Sequence, residues 1–413
     1  MKLPWDIYRE HMEVLGYGLP LWDPSPLEAQ ISKPSPPPAV TTEEISASPP
    51  LEIIAGSVLY PVSRGRFDIL FNAMKLGDDQ AWQPRGVPDD SQALQEFAGT
   101  TERRLLSAPT LVEDLQGLTS SNVVVKTTGG EVTDGAPIFA ATTGGSIDLH
   151  SQASSGAFLE TVDTPTSVSI HPQLFARVQS YMLKYHAGWM RMATSKYYLL
   201  LRDEDLYFVL GTVTTTRWLI GSYVRESNVA RGGHLHSILP NLMSNRRDVT
   251  CAHYEAPTVH HGPICATSPM SNNQCLFAHY AKLKRRPARP AVKRLWHKIR
   301  LRLRGVARSI FVPQPKGHSQ PSGRQYVVQS GQLVKEPVNI LLEYILEEQP
   351  DADIAIASSL DIVEIFKACD TGIPYRENLR SALAALRPRI QVDRATRVGS
   401  LHLSNGLIPD STV

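Results

Sequence analysis

The sequence predicts an α+β fold: an antiparallel, β-rich central domain over about 119–284 with one packed helix, followed by a small α/β C-terminal module. Three observations predict it. Residues 206–216 form an aromatic and β-branched run that is apolar on both faces, as a central strand requires. Just before it, Leu174, Val178 and Met182 recur every four residues, the stripe of an amphipathic helix. Between 119 and 170, 23 of 52 residues are Ser, Thr or Gly and six are charged. Loose alternation there, broken at Gly129-Gly130 and Gly144-Gly145, reads as strands joined by turns.

Bulk properties bound the rest. A chain of 413 residues is long for one ordinary domain, and 42% apolar content can build a real core. Four cysteines without a CxxC pair do not make a disulfide framework. The N-terminus has no apolar h-region, and no run approaches 18 apolar residues, so neither a signal peptide nor a transmembrane helix is expected. The expected location is cytoplasmic or nuclear, not secreted. The net charge of +2 is unevenly spread: Lys282–Arg308 holds 12 basic residues and no acid. The remainder carries 30 basic residues against 40 acidic ones, a net of −10.

In chain order, residues 1–24 form an aromatic docking segment. Tyr8, Met12 and Leu15 fit a short helix that Gly16 stops, and Trp5, Tyr8, Tyr17 and Trp22 suit packing onto a larger body. Residues 25–50 are a Pro/Ser-rich linker. The β-rich α+β domain is placed at 51–284. Two strands within Glu52–Asn72 meet at a Ser-Arg-Gly turn, and a short helix is expected near Gln92–Phe97. The Ser/Thr/Gly-rich strands of 119–170 admit a second reading as membrane-inserting hairpins. The helix from Gln173 is expected to end at Gly188, giving a loop anchored by Trp189.

Two segments carry candidate chemistry. Cys251, His253, His260, His261, Cys265, Cys275 and His279 offer thiolates and imidazoles, the donors zinc prefers. Their spacing matches no standard finger, and Cys275 and His279 are expected on one face of a strand. Zinc is thus the one candidate cofactor, with small buried hydrophobes as the competing reading. The second segment is a basic amphipathic helix over 285–310. Lys284, Arg285, Arg286, Arg289, Lys293, Arg294, Lys298, Arg300, Arg302 and Arg304 surround an apolar stripe of Val292, Leu295, Ile299 and Leu303. Four partners compete for 282–308: an import receptor, an anionic membrane, nucleic acid, or the acidic remainder of the chain itself.

Residues 311–325 are a linker, and 326–413 form the C-terminal module. Pro337–Glu348 has helical periodicity, with Ile340, Leu341, Leu342, Tyr344 and Ile345 as its core face and Pro350 as its stop. A strand follows at Asp353–Ala357, then a helix capped by Ser358 or Ser359 and ending near Ala368, then a helix over 377–387.

Several stretches resemble an uncharacterised protein family of mushroom-forming (basidiomycete) fungi. They are Trp5–Tyr8 with Gly16–Trp22, Gly65–Asn72, Asp205–Trp218, Asn273–Phe277 and Val338–Ala357. The resemblance implies a shared fold and carries no known activity, and this chain departs from the pattern in the basic insert after Lys284. A fainter resemblance, in the order of Gly/Ser-rich strands, helix, Trp and Val-rich strand, is to the gasdermin pore-forming fold.

No nucleophile–base pair, phosphate loop or zinc-finger spacing emerges. The leading expectation is therefore a non-enzymatic intracellular interaction or sensing protein. A membrane-active, pore-forming protein is the alternative. A hydrolase or metal-dependent enzyme using His253, His260, His261 and Cys265 is the third.

Overall fold

The computed structural model of the chain describes residues 3–26, 51–63, 65–115, 118–119, 123–128, 146–151, 155–161, 163–224, 237–238, 248–250, 258–262, 273–287, 336–368 and 376–401. It has an α+β architecture built on a mixed sheet of ten strands.

The N-terminal part contains helix α1 (Pro4–Glu13), strand β1 (Leu19–Pro20), the hairpin β2 (Ser57–Ser63) and β3 (Arg66–Asn72), and helices α2 (Leu94–Phe97) and α3 (Glu102–Leu105). Short strands β4 (Thr110–Leu111) and β5 (Leu118–Thr119) lead to β6 (Val123–Thr128), β7 (Ser146–Ser151), β8 (Ser155–Thr161) and β9 (Thr166–Ser169). Helix α4 (Phe175–Arg191) and strands β10 (Tyr207–Thr215) and β11 (Trp218–Val224) follow. Then come β12 (Ser237–Ile238), β13 (Asp248–Thr250), β14 (Thr258–His261) and β15 (Gln274–Arg285). The C-terminal part contains α5 (Pro337–Glu348), β16 (Ile354–Ser358), α6 (Ser359–Ala368), α7 (Arg376–Leu386), β17 (Ile390–Asp393) and β18 (Val398–Leu401).

The main sheet runs β17-β18-β16-β15-β10-β2-β3, with β1 on β15, β9 on β10 and β4 on β9. Its C-terminal strands enter through the antiparallel pair β15–β16, Ala281 opposite Ser358. The segment expected as a separate C-terminal module thus shares its sheet with the central strands. Among the described residues, two four-stranded sheets, β14-β11-β8-β5 and β12-β13-β7-β6, are also paired.

Strand β10 is central, as its two-faced apolar pattern requires. Tyr207 and Val209 join a core that contains Tyr280, Val338, Ile340 and Ile362. Phe208 and Leu210 join the opposite core, with Val178, Tyr181, Met182 and Trp189 of α4. A third cluster takes the far end: Val213, Leu276 and Phe277 with Tyr8, Met12, Trp22 and Trp218. The N-terminal aromatics are therefore packing residues, with Tyr8 and Trp22 at 5.3 Å between ring centroids.

Helix α4 does not end at Gly188. It runs to Arg191 and widens into a single π turn over Met192–Lys196. Trp189 is not in a loop: it is buried and stacks on Phe208 with ring planes 12° apart. Burying an indole outweighs the ~1 kcal/mol helix cost of one glycine. Gly188 also admits its neighbour closely, since a Cβ there would lie 2.3 Å from Asp90 Oδ1.

His186 sits on the same helix, buried, with Nε2 3.2 Å from the Asp203 carbonyl. Burial pushes its pKa down to about 4, against the pull of Asp203. The unfolded chain takes up this proton near pH 6.5 and the folded chain only near 4. Stability from this group is therefore full above pH 6.5 and is lost as pH falls toward 4, by on the order of 3 kcal/mol. Urea unfolding of His186→Gln across that window should show a shallower pH slope than wild type. An unchanged slope would mean that His186 titrates normally.

The turn after α1 offers a second check. Gly18 has φ +98°, and a Cβ there would lie 2.5 Å from the Ala278 carbonyl oxygen. The clash is with backbone in the sheet, so no side chain can rotate away from it. Gly18→Ala should lower stability by about 2 kcal/mol in thermal or urea unfolding.

Candidate functional site

A buried cluster of ionisable residues lies where α1, β15, α5 and α6 meet, beneath a cleft that Tyr280 lines. Tyr280 and Lys282 stand two apart on β15 and so point to the same side of the sheet. That side faces the N-terminus of α5, where Glu336 is the capping residue.

Lys282 is 1% exposed, and its Nζ lies 2.5 Å from Glu336 Oε2. The same ammonium sits 3.9 Å from the centroid of the Tyr207 ring, a cation–π contact. The Tyr280 hydroxyl donates to Glu336 Oε1, and so does the Val338 backbone N–H at 3.3 Å. One carboxylate therefore caps a helix, neutralises a buried cation and accepts a phenol.

The protonation states follow from opposing effects. Burial opposes ionisation of Glu336, but Lys282, Arg9 and the hydrogen bonds from Lys282 and Tyr280 overcome it, so the carboxyl falls below its ordinary value. Burial also opposes the charge on Lys282, and Glu336 with Tyr207 raises its pKa regardless. Burial and then Glu336 push Tyr280 well up. The site is an ammonium–carboxylate pair with a neutral phenol at neutral pH. Beside it, Arg9 Nε is 2.6 Å from Glu13 Oε1 on α1.

Above this network opens a shallow cleft of about 40 Å³, continuous with solvent. Its walls are Val14, Pro337, Ile362, Val363 and Phe366, with Tyr280 at the floor and Glu10 and Glu13 on the α1 side. Ser359 joins it to the sheet by accepting the Tyr280 backbone N–H at 3.1 Å. A second groove between α5 and α7 is more polar. Its Arg380 already pairs with Glu343 at 2.6 Å and with Glu347 at 3.8 Å.

The basic segment begins differently from expectation. Lys282 is a core residue, not a surface cation. Lys284 lies 3.3 Å from Glu204 and 3.6 Å from Glu343. Arg286 donates to the carbonyls of Leu346 and Gln349 at the end of α5, and to that of Ala352 at 3.0 Å. These two engage the chain's own groups, while Arg285 is exposed. Arg289, Lys293, Arg294, Lys298, Arg300, Arg302 and Arg304 lie outside the described residues.

The zinc candidates do not meet where they are described. Cys275 and His279 do not share a face. Strand β15 has an extra residue at Leu276, since Val213 pairs with Phe277 and Thr214 with Cys275. The bulge moves Cys275 into the cluster of Ala278 and Tyr280. Burial pushes its thiol pKa up, which favours the protonated form. His279 Nδ1 lies 3.4 Å from Ser359 Oγ, and burial lowers its pKa to about 4. His260 packs its ring 4.6 Å from Trp22. His261 is placed by its backbone on β14, opposite Leu219. Cys251, His253 and Cys265 lie outside the described residues. Among the described residues, no three of His, Cys, Asp or Glu gather as a metal would require.

Asp361 and Ser358 form a reciprocal cap at α6. Each backbone N–H is bonded by the other's side chain, at 2.7 and 3.3 Å. Burial raises the Asp361 pKa to about 6. Among the described residues no helix is long and apolar enough to cross a membrane. No protein-family model matches the chain, and no curated protein matches it in sequence.

The ion pair predicts a specific mutational pattern. Glu336→Gln leaves a buried ammonium with no counter-charge and should cost about 3–5 kcal/mol in urea unfolding. Lys282→Met leaves the carboxylate uncompensated and should cost a similar amount. The double variant should be less destabilised than the sum of the two, because neither charge is stranded. Additive losses would mean that the two groups do not interact.

Proposed function

We propose that this chain is a non-enzymatic interaction protein whose cleft takes an apolar side chain from a protein partner. The observation that supports this reading is the division of labour around the cleft. Its ionisable floor is engaged from within, as Lys282, Glu336 and Tyr280 satisfy one another. Its walls offer aliphatic and aromatic surface. Such a site contributes burial and shape, at about 25 cal/mol per Å² of apolar area covered. The charged network beneath fixes the walls, because the Glu336 cap orients α5 and the Ser359 bond orients α6.

The test uses N-acetyl-leucinamide as the probe of an apolar side chain. Titrated into the full chain and followed by methyl NMR, it should shift Val14, Ile362 and Val363 saturably. Val363→Arg should abolish those shifts while leaving the unfolding midpoint near wild type. No saturable shift at the cleft would overturn the reading. Turnover of an ester, amide or phosphate substrate that is lost in Tyr280→Phe would also overturn it, by making the site catalytic.

A further inference from the structure

The two ends of the main sheet are finished differently. At one end β3 pairs with β2 alone, and side chains close its free edge. Gln83 accepts the Asn72 N–H at 3.0 Å and donates to the Asn72 carbonyl at 2.5 Å. Arg85 donates to the Ile69 carbonyl at 3.4 Å. An open edge is a template for another strand, and plugs of this kind prevent such pairing. At the other end β17 pairs with β18 alone, and the strand order stops there. Among the described residues, neither a strand nor a side chain bonds to the backbone along the outer edge of β17.

The sequence along that open edge is self-complementary. Arg389-Ile390-Gln391-Val392-Asp393 reads cation, apolar, amide, apolar, anion. Successive residues take opposite faces: Arg389, Gln391 and Asp393 are exposed, whereas Ile390 and Val392 are half-buried against the core. Arg389, at the mouth of the groove between α5 and α7, has no carboxylate partner among the described residues. Asp393 accepts from the Ala395 N–H and the Thr396 hydroxyl, each at 2.8 Å. Both donors are neutral, so they hold the carboxylate in place and leave its charge unbalanced.

We propose that β17 of one copy pairs antiparallel with β17 of a second copy, about a twofold axis at Gln391. In that register Arg389 stands opposite Asp393 of the second copy, and Ile390 opposite Val392 of the second copy. Symmetry repeats each pair, and the two Gln391 side chains meet on the axis. Opposite charges and paired aliphatic side chains are the cross-strand contacts that stabilise a register. The neighbouring registers lack them. With the axis between Gln391 and Val392, Arg389 would face Arg394 and Ile390 would face Asp393. With the axis at Ile390, Pro388 would enter the ladder without an N–H to donate. A second copy presents the matching order by symmetry alone, and this identifies it as the occupant of the edge.

The contact is isologous: each copy contributes the same strand, so it closes at two chains and joins their main sheets across the axis. Five residues a side make a small interface, and the dimer is accordingly a weak one that forms as concentration rises. The cleft among α1, α5 and α6 includes none of these five residues, so this contact and the proposed side-chain site stand or fall separately.

Sedimentation equilibrium of the full chain tests this by reversing the charges. Wild-type mass should rise with concentration toward two chains and go no further. Arg389→Asp sets an aspartate against Asp393, and Asp393→Arg sets an arginine against Arg389. Each variant alone should associate roughly tenfold more weakly than wild type. An equimolar mixture of the two should recover the association, because both charge pairs are restored in the mixed dimer. A misfolded variant could not produce that recovery. If Asp393→Arg unfolds by losing its turn contacts, Arg389→Asp and a third variant decide. Gln391→Cys places a thiol on the axis at an exposed position, and mild oxidation should cross-link it to a dimer faster than wild type. A wild type that stays monomeric, or whose mass passes two chains, would overturn the proposal. So would an Arg389→Asp variant that associates like wild type, a mixture no stronger than its components, or a Gln391→Cys variant that cross-links no faster than wild type.

Discussion

The pairing of β10 with β15 is the constraint on which everything else rests. Both strands lie inside the main sheet and both faces are covered, so each residue must commit to one core or the other. Two bulges set that commitment. The extra residue at Leu210 keeps Val209 beside Tyr280 while letting Gly211 meet His279. The extra residue at Leu276 turns Cys275 inward and leaves Phe277 for the third cluster. A slip of one residue would exchange the faces along the strand. It would turn Lys282 away from Glu336.

The buried ion pair follows from that register. Two charges removed from water are costly, and their attraction offsets this only when every remaining hydrogen-bonding position is filled. Here the carboxylate is filled by Lys282, Tyr280 and the first turn of α5. The pair thereby ties the middle of the sheet to the start of the C-terminal helices across 54 residues of chain. Its role is to fix geometry, which gives the cleft above it stable walls without exposing a reactive group.

Much of the architecture was legible in the sequence. The two-faced pattern of 206–216, the four-residue stripe of α4, the α5 core face and the Ser358 cap all follow from local periodicity and end-group chemistry, and each element stands within a few residues of its expected place. The misjudged positions share one cause. Gly188 is a helix breaker by propensity, but Trp189 finds Phe208 to stack on. Cys275 and His279 alternate correctly on an unbroken strand, but the strand is bulged. Lys282 belongs by composition to a basic run, but its partner Glu336 lies far along the chain.

The sequence by itself determined where the long helices and the central strand lie, because period and capping are local properties of the chain, but it did not show the short strands β12, β13, β17 and β18. It also determined that one strand is covered on both sides. Only the tertiary structure decided which polar residues meet, since burial and register depend on partners distant in sequence. Lys282 is a core cation for that one reason. A residue's environment is set by what the fold brings to it, and its type states only what that environment will cost.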